Sequence, residues 1–159
     1  MRRRPAGFEG LARIIVGQQL SVASASAIWL RTLNLSQPFA PEGVQVLADA
    51  VLAAAGLSRP KIRTLRAISL ACTGGLDLSA LETRSDAEIT SALTAINGIG
   101  PWTADIYIMF CLGRADAFAP GDLALQIGAQ LALGLKARPS PEELLAIAER
   151  WRPKAAGPR

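Results

Sequence analysis

The sequence has 159 residues, with 17 Lys plus Arg against 13 Asp plus Glu and a net charge of +4. It contains no histidine and two cysteines, Cys72 and Cys111. This composition excludes Ser-His-Asp and Cys-His nucleophilic sites, His-based metal sites and Cys₄ zinc or iron–sulfur sites. The length predicts one domain, whose chemistry must come from carboxylates, lysines, hydroxyls, backbone amides or aromatic faces.

The basic residues are mostly arginines, with only three lysines in the chain. Arginine-rich basicity suits phosphate contact, although +4 is a mild charge for this length. The charged start Met1-Arg2-Arg3-Arg4-Pro5 is not followed directly by an apolar region, and Arg31 interrupts the longest apolar run. We therefore expect no signal peptide, no membrane span and a cytoplasmic protein with reduced thiols.

The hydrophobic period is helical along nearly the whole chain, and no stretch alternates with period two. Predicted helices run from Phe8 to about Gly17, Ser21 to Leu33, about Glu42 to Gly56, Ser58 to Gly74, Ser85 to Ile96, Pro101 to Gly113, Asp122 to about Leu133, and Ser140 to Trp151. The pattern predicts an all-α protein with a single domain over residues 1–153. Residues 154–159 have no pattern and are expected to be a disordered tail.

The sharpest local feature is the segment from Leu93 to Ala104, in which Gly98-Ile99-Gly100-Pro101 joins two predicted helices. This is the helix-hairpin-helix pattern. Its two glycines have no side chains, so the surface of the turn can approach a flat partner closely. The unpaired backbone N–H groups at the start of the next helix can bind a phosphate. The alternative is an ordinary tight turn between helices with a glycine C-cap. The full pattern favours binding to the DNA backbone.

A single carboxylate, Asp122, follows this hairpin by twenty residues, in Phe118-Ala119-Pro120-Gly121-Asp122-Leu123. Local sequence favours a helix N-cap at this position. The alternative is a carboxylate at the mouth of a cleft that faces the hairpin.

Three blocks of the sequence resemble the helix-hairpin-helix DNA glycosylases: Arg13 to Val22, Gly98 to Ala104, and Phe118 to Gln126. The resemblance covers Phe8 to Pro153 and is strongest to the alkylation-repair branch, DNA-3-methyladenine glycosylase II. It implies an all-α, two-lobed fold with the active cleft between the lobes. Members of the family usually extend beyond both ends of this region, so we expect the chain to be truncated at both ends relative to them.

The resemblance also implies roles for individual residues. Asp122 would be the catalytic aspartate, and Trp102 would line the base pocket at the position where lyase-competent relatives keep a lysine. Tyr107 is a second candidate for the pocket wall, with the core as its alternative. The residues expected to contact DNA are Gln18, Gln19 and Leu20 in the loop that probes the duplex, and Gly98, Gly100 and Thr103 in the hairpin. No cofactor and no metal site built from side chains is expected, although relatives often hold a monovalent cation at the hairpin backbone.

These features predict a monomeric, monofunctional glycosylase, associated with the nucleoid, that hydrolyses the N-glycosidic bond of alkylated purines in double-stranded DNA and so starts base-excision repair. Cationic purines need little acid to leave, which agrees with the missing histidine. The alternative is a non-catalytic or degenerate helix-hairpin-helix DNA-binding module, and a third possibility is a helical interaction protein without a DNA role. A basic face formed by Arg59, Lys61, Arg63 and Arg66 would be solvated or add phosphate contacts.

Overall fold

A computed structural model of the chain describes residues 4–151, and within this range it is all-α, as the sequence predicts. The helices are α1 (Phe8–Gly17), α2 (Val22–Leu33), α3 (Pro41–Val46), α4 (Asp49–Ala54), α5 (Arg59–Thr73), α6 (Asp86–Thr94), α7 (Pro101–Tyr107), α8 (Leu123–Leu133) and α9 (Pro141–Ala148). Short 3₁₀ turns follow at Ala80–Thr83 and Glu149–Trp151. The predicted disordered tail at 154–159 lies outside the described residues. No helix within residues 4–151 is long and apolar enough to cross a membrane.

Side-chain caps determine where several helices begin. The Ser21 hydroxyl accepts a hydrogen bond from the backbone N–H of Ser24 at the start of α2. Ser85 and Ser140 form complete capping boxes with Glu88 and Glu143, as their spacing in the sequence predicts. Each box satisfies backbone N–H groups that a helix would otherwise leave unpaired at its N-terminus.

The prediction of a single helix from Glu42 to Gly56 is wrong, because the structure has two helices there, α3 and α4. Leu47 and Ala48 are extended, with ψ angles of 137° and 146°. The Arg66 guanidinium, which reaches over from α5, donates hydrogen bonds to backbone carbonyls of α3 and of Leu47 and pairs with Asp49. A distant arginine thus satisfies the carbonyls that an uninterrupted helix would have used itself.

The main core lies around α1 and α5. Helix α1 packs on α2, α5 and α7, while α5 also packs on α3 and α4. Leu11, Ile15, Leu65 and Ile68 are fully buried between these helices. Helices α6 and α7 pack on each other across the hairpin, and α8 pairs with α9. This arrangement places the first turns of α7 and α8 beside the loop between α1 and α2.

The hairpin turn depends on the absence of a side chain at Gly98. Its φ angle is +88°, in the left-handed region, and a Cβ atom there would lie 2.1 Å from Thr64 Oγ1. Ile99 is buried and anchors the turn in the core. Gly100 has a φ angle of −102°, and a Cβ atom there would meet nothing within 4 Å. The two glycines therefore differ in what they do. The internal packing of the turn requires a glycine at position 98, whereas Gly100 leaves the outer surface of the hairpin without a side chain.

Gly98→Ala is expected to lower the free energy of unfolding by about 2–4 kcal/mol, because it combines an unfavourable left-handed conformation with a clash against Thr64. Gly100→Ala is the matched control and should change stability by less than about 1 kcal/mol. Urea denaturation of the two variants measures both effects. Equal losses would contradict the packing described here.

Candidate functional site

Asp122 is both a helix cap and a cleft carboxylate, so the two interpretations of its sequence context are not exclusive. Its Oδ1 atom accepts hydrogen bonds from the backbone N–H groups of Ala124 (2.9 Å) and Leu125 (3.1 Å) at the start of α8. Its Oδ2 atom accepts a hydrogen bond of 2.9 Å from Nε1 of Trp102. The three donors fix the orientation of a half-buried carboxylate that remains open to a cleft.

We name this space the Asp122 cleft. It has a volume of about 510 Å³ and is lined by Gln18, Gln19, Trp102, Gly121, Asp122, Leu123 and Ala124. Gln126, one turn into α8, is buried and donates its side-chain amide to the carbonyl of Pro120 at 2.9 Å. This bond holds the turn from which Asp122 faces the cleft.

A second cleft, which we name the arginine cleft, lies on another side of the Trp102 indole. It has a volume of about 560 Å³ and is lined by Arg4, Arg13, Ile14, Gly17, Leu20, Val22, Ala25, Ser26, Trp29, Trp102, Ile106 and Phe110. No carboxylate belongs to this lining among the described residues, and two guanidinium groups do. The indole therefore separates a negatively charged cleft from a positively charged one.

The loop between α1 and α2 presents the three residues predicted to probe a duplex. Gln19 is exposed with a φ angle of +55°, and Leu20 is also exposed, at 38%. Gln18 is half-buried and donates its side-chain amide to Thr103 Oγ1 at 2.9 Å. The loop thus brings Gln18 and Gln19 to the Asp122 cleft and Leu20 to the arginine cleft.

The hairpin surface is exposed at Asn97, Gly98, Gly100 and Pro101. Within residues 4–151, no backbone acceptor takes a hydrogen bond from the N–H groups of Gly98, Gly100 or Trp102. These amides can therefore bind an external anion such as a phosphate.

Thr103 lies in the hairpin motif, but its side chain does not face outward from the hairpin. It is only 3% exposed, and its hydroxyl accepts the Gln18 amide. Its backbone N–H is also occupied, since it donates to the carbonyl of Gly100 at 3.0 Å. Thr103 thus joins α7 to the α1–α2 loop, and its contact with DNA stays a prediction.

Tyr107 lies in the core and not in the pocket wall. It has no exposed surface, and its hydroxyl accepts a hydrogen bond from the backbone N–H of Gly7 at 2.9 Å. Burial raises the pKa of this phenol to about 12. The aromatic residue faces the core because positions 102 and 106, not 102 and 107, share one face of a helix. Ile106, one helical turn after Trp102, lines the arginine cleft instead of Tyr107. Helical spacing alone could have identified it.

The predicted basic face divides into two parts. Arg59 and Arg63 are exposed on α5. Arg66 is used internally at the α3–α4 break, and the Lys61 ammonium donates to the carbonyls of Val16 and Gln18. Of the four residues of the predicted basic face, Arg59 and Arg63 are therefore the two whose charges are exposed to solvent.

Asp105, on α7, is a carboxylate with a perturbed environment. It is half-buried, and burial followed by the nearby charge of Asp86 raises its pKa to about 6. No group of three or more Cys, Asp or Glu residues among those described lies close enough to hold a metal ion.

Comparison with protein families gives a match over residues 12–154 to the HhH-GPD superfamily of base excision DNA repair proteins. DNA-3-methyladenine glycosylase 1 of Schizosaccharomyces pombe is 33% identical over 126 residues, which are 76% of this chain and 55% of that protein. DNA-3-methyladenine glycosylase of Saccharomyces cerevisiae is 32% identical over 132 residues, covering 76% of this chain and 45% of that protein. The chain thus spans about half the length of these curated relatives.

Solved structures give the same result. The S. pombe 3-methyladenine DNA glycosylase in complex with abasic DNA superposes with a TM-score of 0.85 at 29% identity, covering 96% of this chain and 76% of that one. The DNA-3-methyladenine glycosidase of Bacillus halodurans gives a TM-score of 0.80 at 36% identity, covering 96% and 72% of the two chains.

The core position of Tyr107 can be tested by spectroscopic titration, because the chain has a single tyrosine. In the folded protein the absorbance change of phenol ionisation is expected near pH 12. In denaturant it should return to about pH 10, the ordinary value for tyrosine. Ionisation near pH 10 in the folded protein would instead place the ring in an open pocket.

The raised pKa of Asp105 predicts that the stability of the fold depends on pH. Its pKa of about 6 in the folded chain exceeds the ordinary value of 3.8, so the folded state holds this proton more tightly and loses stability as the pH rises from about 4 to 6. Asp105→Asn should therefore raise the melting temperature at pH 7 and leave it unchanged below about pH 4. Asp116→Asn removes an equal but exposed charge and serves as control. A gain from Asp105→Asn that is equal at both pH values would contradict this assignment.

Proposed function

The chain belongs to the HhH-GPD superfamily of base excision DNA repair proteins, and we propose that it is a monofunctional DNA glycosylase that excises alkylated purines from duplex DNA. The observation that carries this proposal is the hydrogen bond between Trp102 and Asp122 at a cleft beside the hairpin. The names of the relatives, which are 3-methyladenine glycosylases, support the substrate class. In this proposal the protein acts as a monomer on nucleoid DNA and needs no cofactor.

The hairpin supplies the contact with the DNA backbone. Its unpaired amides at Gly98, Gly100 and Trp102 suit one phosphate group, and the bare glycine surface lets the strand approach closely. Gln19 and Leu20 would enter the gap left when the damaged nucleotide turns out of the helix. Extrusion costs a few kcal/mol and costs least for a poorly paired, damaged base, which contributes to selectivity.

The carboxylate of Asp122 supplies the chemistry. Breakage of the N-glycosidic bond sends the bonding electron pair to the base and leaves an oxocarbenium-like sugar. A fixed carboxylate beside C1′ stabilises this positive charge without reorganising. Water then adds its oxygen to C1′ and gives up a proton, so the products are the free base and an abasic site.

The charges of the two clefts favour the Asp122 cleft as the place for a cationic purine. N3-methyladenine and N7-methylguanine nucleotides carry a positive charge, which the Asp122 carboxylate attracts and the guanidinium groups of Arg4 and Arg13 repel. The Trp102 indole forms a wall of the same cleft, where stacking and cation–π attraction contribute about 0.5–2 kcal/mol.

The absence of a lyase step in this proposal follows from the residue at position 102. Schiff-base chemistry needs an amine near C1′, and an indole cannot form one. Of the two lysines within residues 4–151, Lys61 donates to carbonyls of the α1 terminus, and Lys136 lies in the turn between α8 and α9. The sugar would therefore be attacked by water, and the DNA strand would stay intact.

Asp122→Asn tests the catalytic role without removing the helix cap. Asparagine caps a helix about as well as aspartate, but its NH₂ group would replace the oxygen that accepts the Trp102 hydrogen bond, so stability should fall by about 1–2 kcal/mol. Release of methylated bases from alkylated duplex DNA should fall by about 10²- to 10⁴-fold, because the charge that stabilises the sugar is lost. Base release under single-turnover conditions measures the effect, and gels run without alkali should show unbroken strands.

Asp116→Asn is the matched control, since it removes an exposed aspartate from the loop before α8 and should leave base release unchanged. Equal release by wild type and Asp122→Asn would remove Asp122 from its role. Duplex binding by the wild type without any release would instead indicate a non-catalytic DNA-binding module.

A further inference from the structure

The ammonium group of Lys61 lies against the C-terminal end of α1. Its Nζ atom donates hydrogen bonds to the carbonyls of Val16 (2.7 Å) and Gln18 (2.8 Å). These carbonyls belong to the last turn of a helix, where acceptors lack intrahelical partners and the helix dipole is negative. Lys61 is itself on the first turn of α5 and is half-buried, and burial lowers its pKa. The Lys61 ammonium of α5 thus satisfies carbonyls at the C-terminal end of α1.

The segment that Lys61 holds is the start of the α1–α2 loop, which carries backbone strain. Gln19 adopts a φ angle of +55°, a conformation that costs about 1–2 kcal/mol for a residue with a side chain. Such a conformation persists only where surrounding contacts fix it. Lys61 fixes the loop through the Gln18 carbonyl, and Thr103 fixes it through the Gln18 side chain at 2.9 Å.

The position of this loop determines what its next two residues can reach. Gln19 lines the Asp122 cleft, whereas Leu20 lines the arginine cleft on another side of the indole. A small rotation at Gln18 would move both side chains, because they follow directly in the chain. Misplacement by about 1 Å is enough to reduce a rate by 10²-fold when geometry limits the reaction.

We propose that Lys61 is a positioning residue, which holds the Gln18–Leu20 loop in the geometry needed to enter the duplex and does not bind phosphate. The proposal rests on the proposed function for its effect on excision, but the loop geometry itself can be measured without DNA. Two donors of the ammonium point inward to carbonyls, in contrast to the exposed guanidinium groups of Arg59 and Arg63 on the same helix. Those two groups, and not Lys61, have the exposure that phosphate contact requires.

The first experiment measures amide hydrogen exchange in the free protein. Lys61→Met keeps an unbranched apolar side chain of nearly the same length and removes both hydrogen bonds. Exchange in a peptide covering residues 17–21 is expected to accelerate by about tenfold or more, while the interiors of α1 and α5 stay protected. Lys61→Arg, which can donate to both carbonyls, should restore most of the protection. Lys136→Met is the control, because it removes an exposed ammonium from the α8–α9 turn.

The second experiment separates positioning from binding. At saturating protein, the single-turnover rate constant for release of a methylated base should fall by about 10- to 100-fold in Lys61→Met. The Kd for an uncleaved duplex should change by less than about threefold, and Lys61→Arg should recover the rate. A Kd that rises while the rate constant is kept would make Lys61 a phosphate ligand and overturn the proposal.

Other outcomes are equally decisive. Faster exchange throughout α1 and α5 would show a general structural role, and behaviour identical to Lys136→Met in both experiments would show no role; either result overturns the proposal. If Lys61→Met does not fold, Lys61→Gln, whose shorter side chain ends in an uncharged amide, replaces it in both measurements. A wild-type protein that releases no base would contradict the proposed function, while the exchange pattern would still decide whether Lys61 holds the loop.

Discussion

The contact between Gly98 and Thr64 is the constraint on which the site depends. Because no side chain separates the hairpin from α5, the turn lies directly against that helix with a positive φ angle at Gly98. This fixes the start of α7, and with it the two neighbouring residues Trp102 and Thr103. One points its indole at Asp122 and the other accepts the amide of Gln18. Gly98, which the sequence predicts as a DNA contact, is therefore first a requirement of internal packing.

Helix α5 acts on the site through two successive turns. Thr64 supports the hairpin, and Lys61, three residues earlier, holds the end of α1. Residues at this spacing share one face of a helix, so one rigid element supports both the turn proposed to bind phosphate and the loop proposed to probe the duplex. Rigid support of this kind is what a site needs when its reaction depends on geometry and fixed charge more than on proton transfer.

Asp122 caps a helix and is also the residue proposed to supply the chemistry. One carboxylate oxygen is used by the N-terminus of α8, and the other is held by the indole of Trp102 beside the open cleft. Local sequence could predict the cap, because Gly-Asp before an apolar run is a common helix start. It could not predict the second contact, since Trp102 is twenty residues away in the chain. The same limit applies to Thr103, inside the predicted motif, and to Tyr107, just after it: packing turns both side chains inward.

The sequence by itself determined the all-α class, most helix starts and the hairpin, because these depend on short-range periodicity, capping residues and glycine conformation. It also determined the family, through motifs that keep their order and spacing, and it excluded histidine chemistry by composition. Tertiary structure alone decided the break between α3 and α4, the inward direction of Lys61 and Arg66, and the division of charge between the two clefts. Long charged side chains reach across to other helices, and their partners are backbone carbonyls. Because every residue carries such a carbonyl, no sequence pattern marks the one that a distant ammonium or guanidinium group will find.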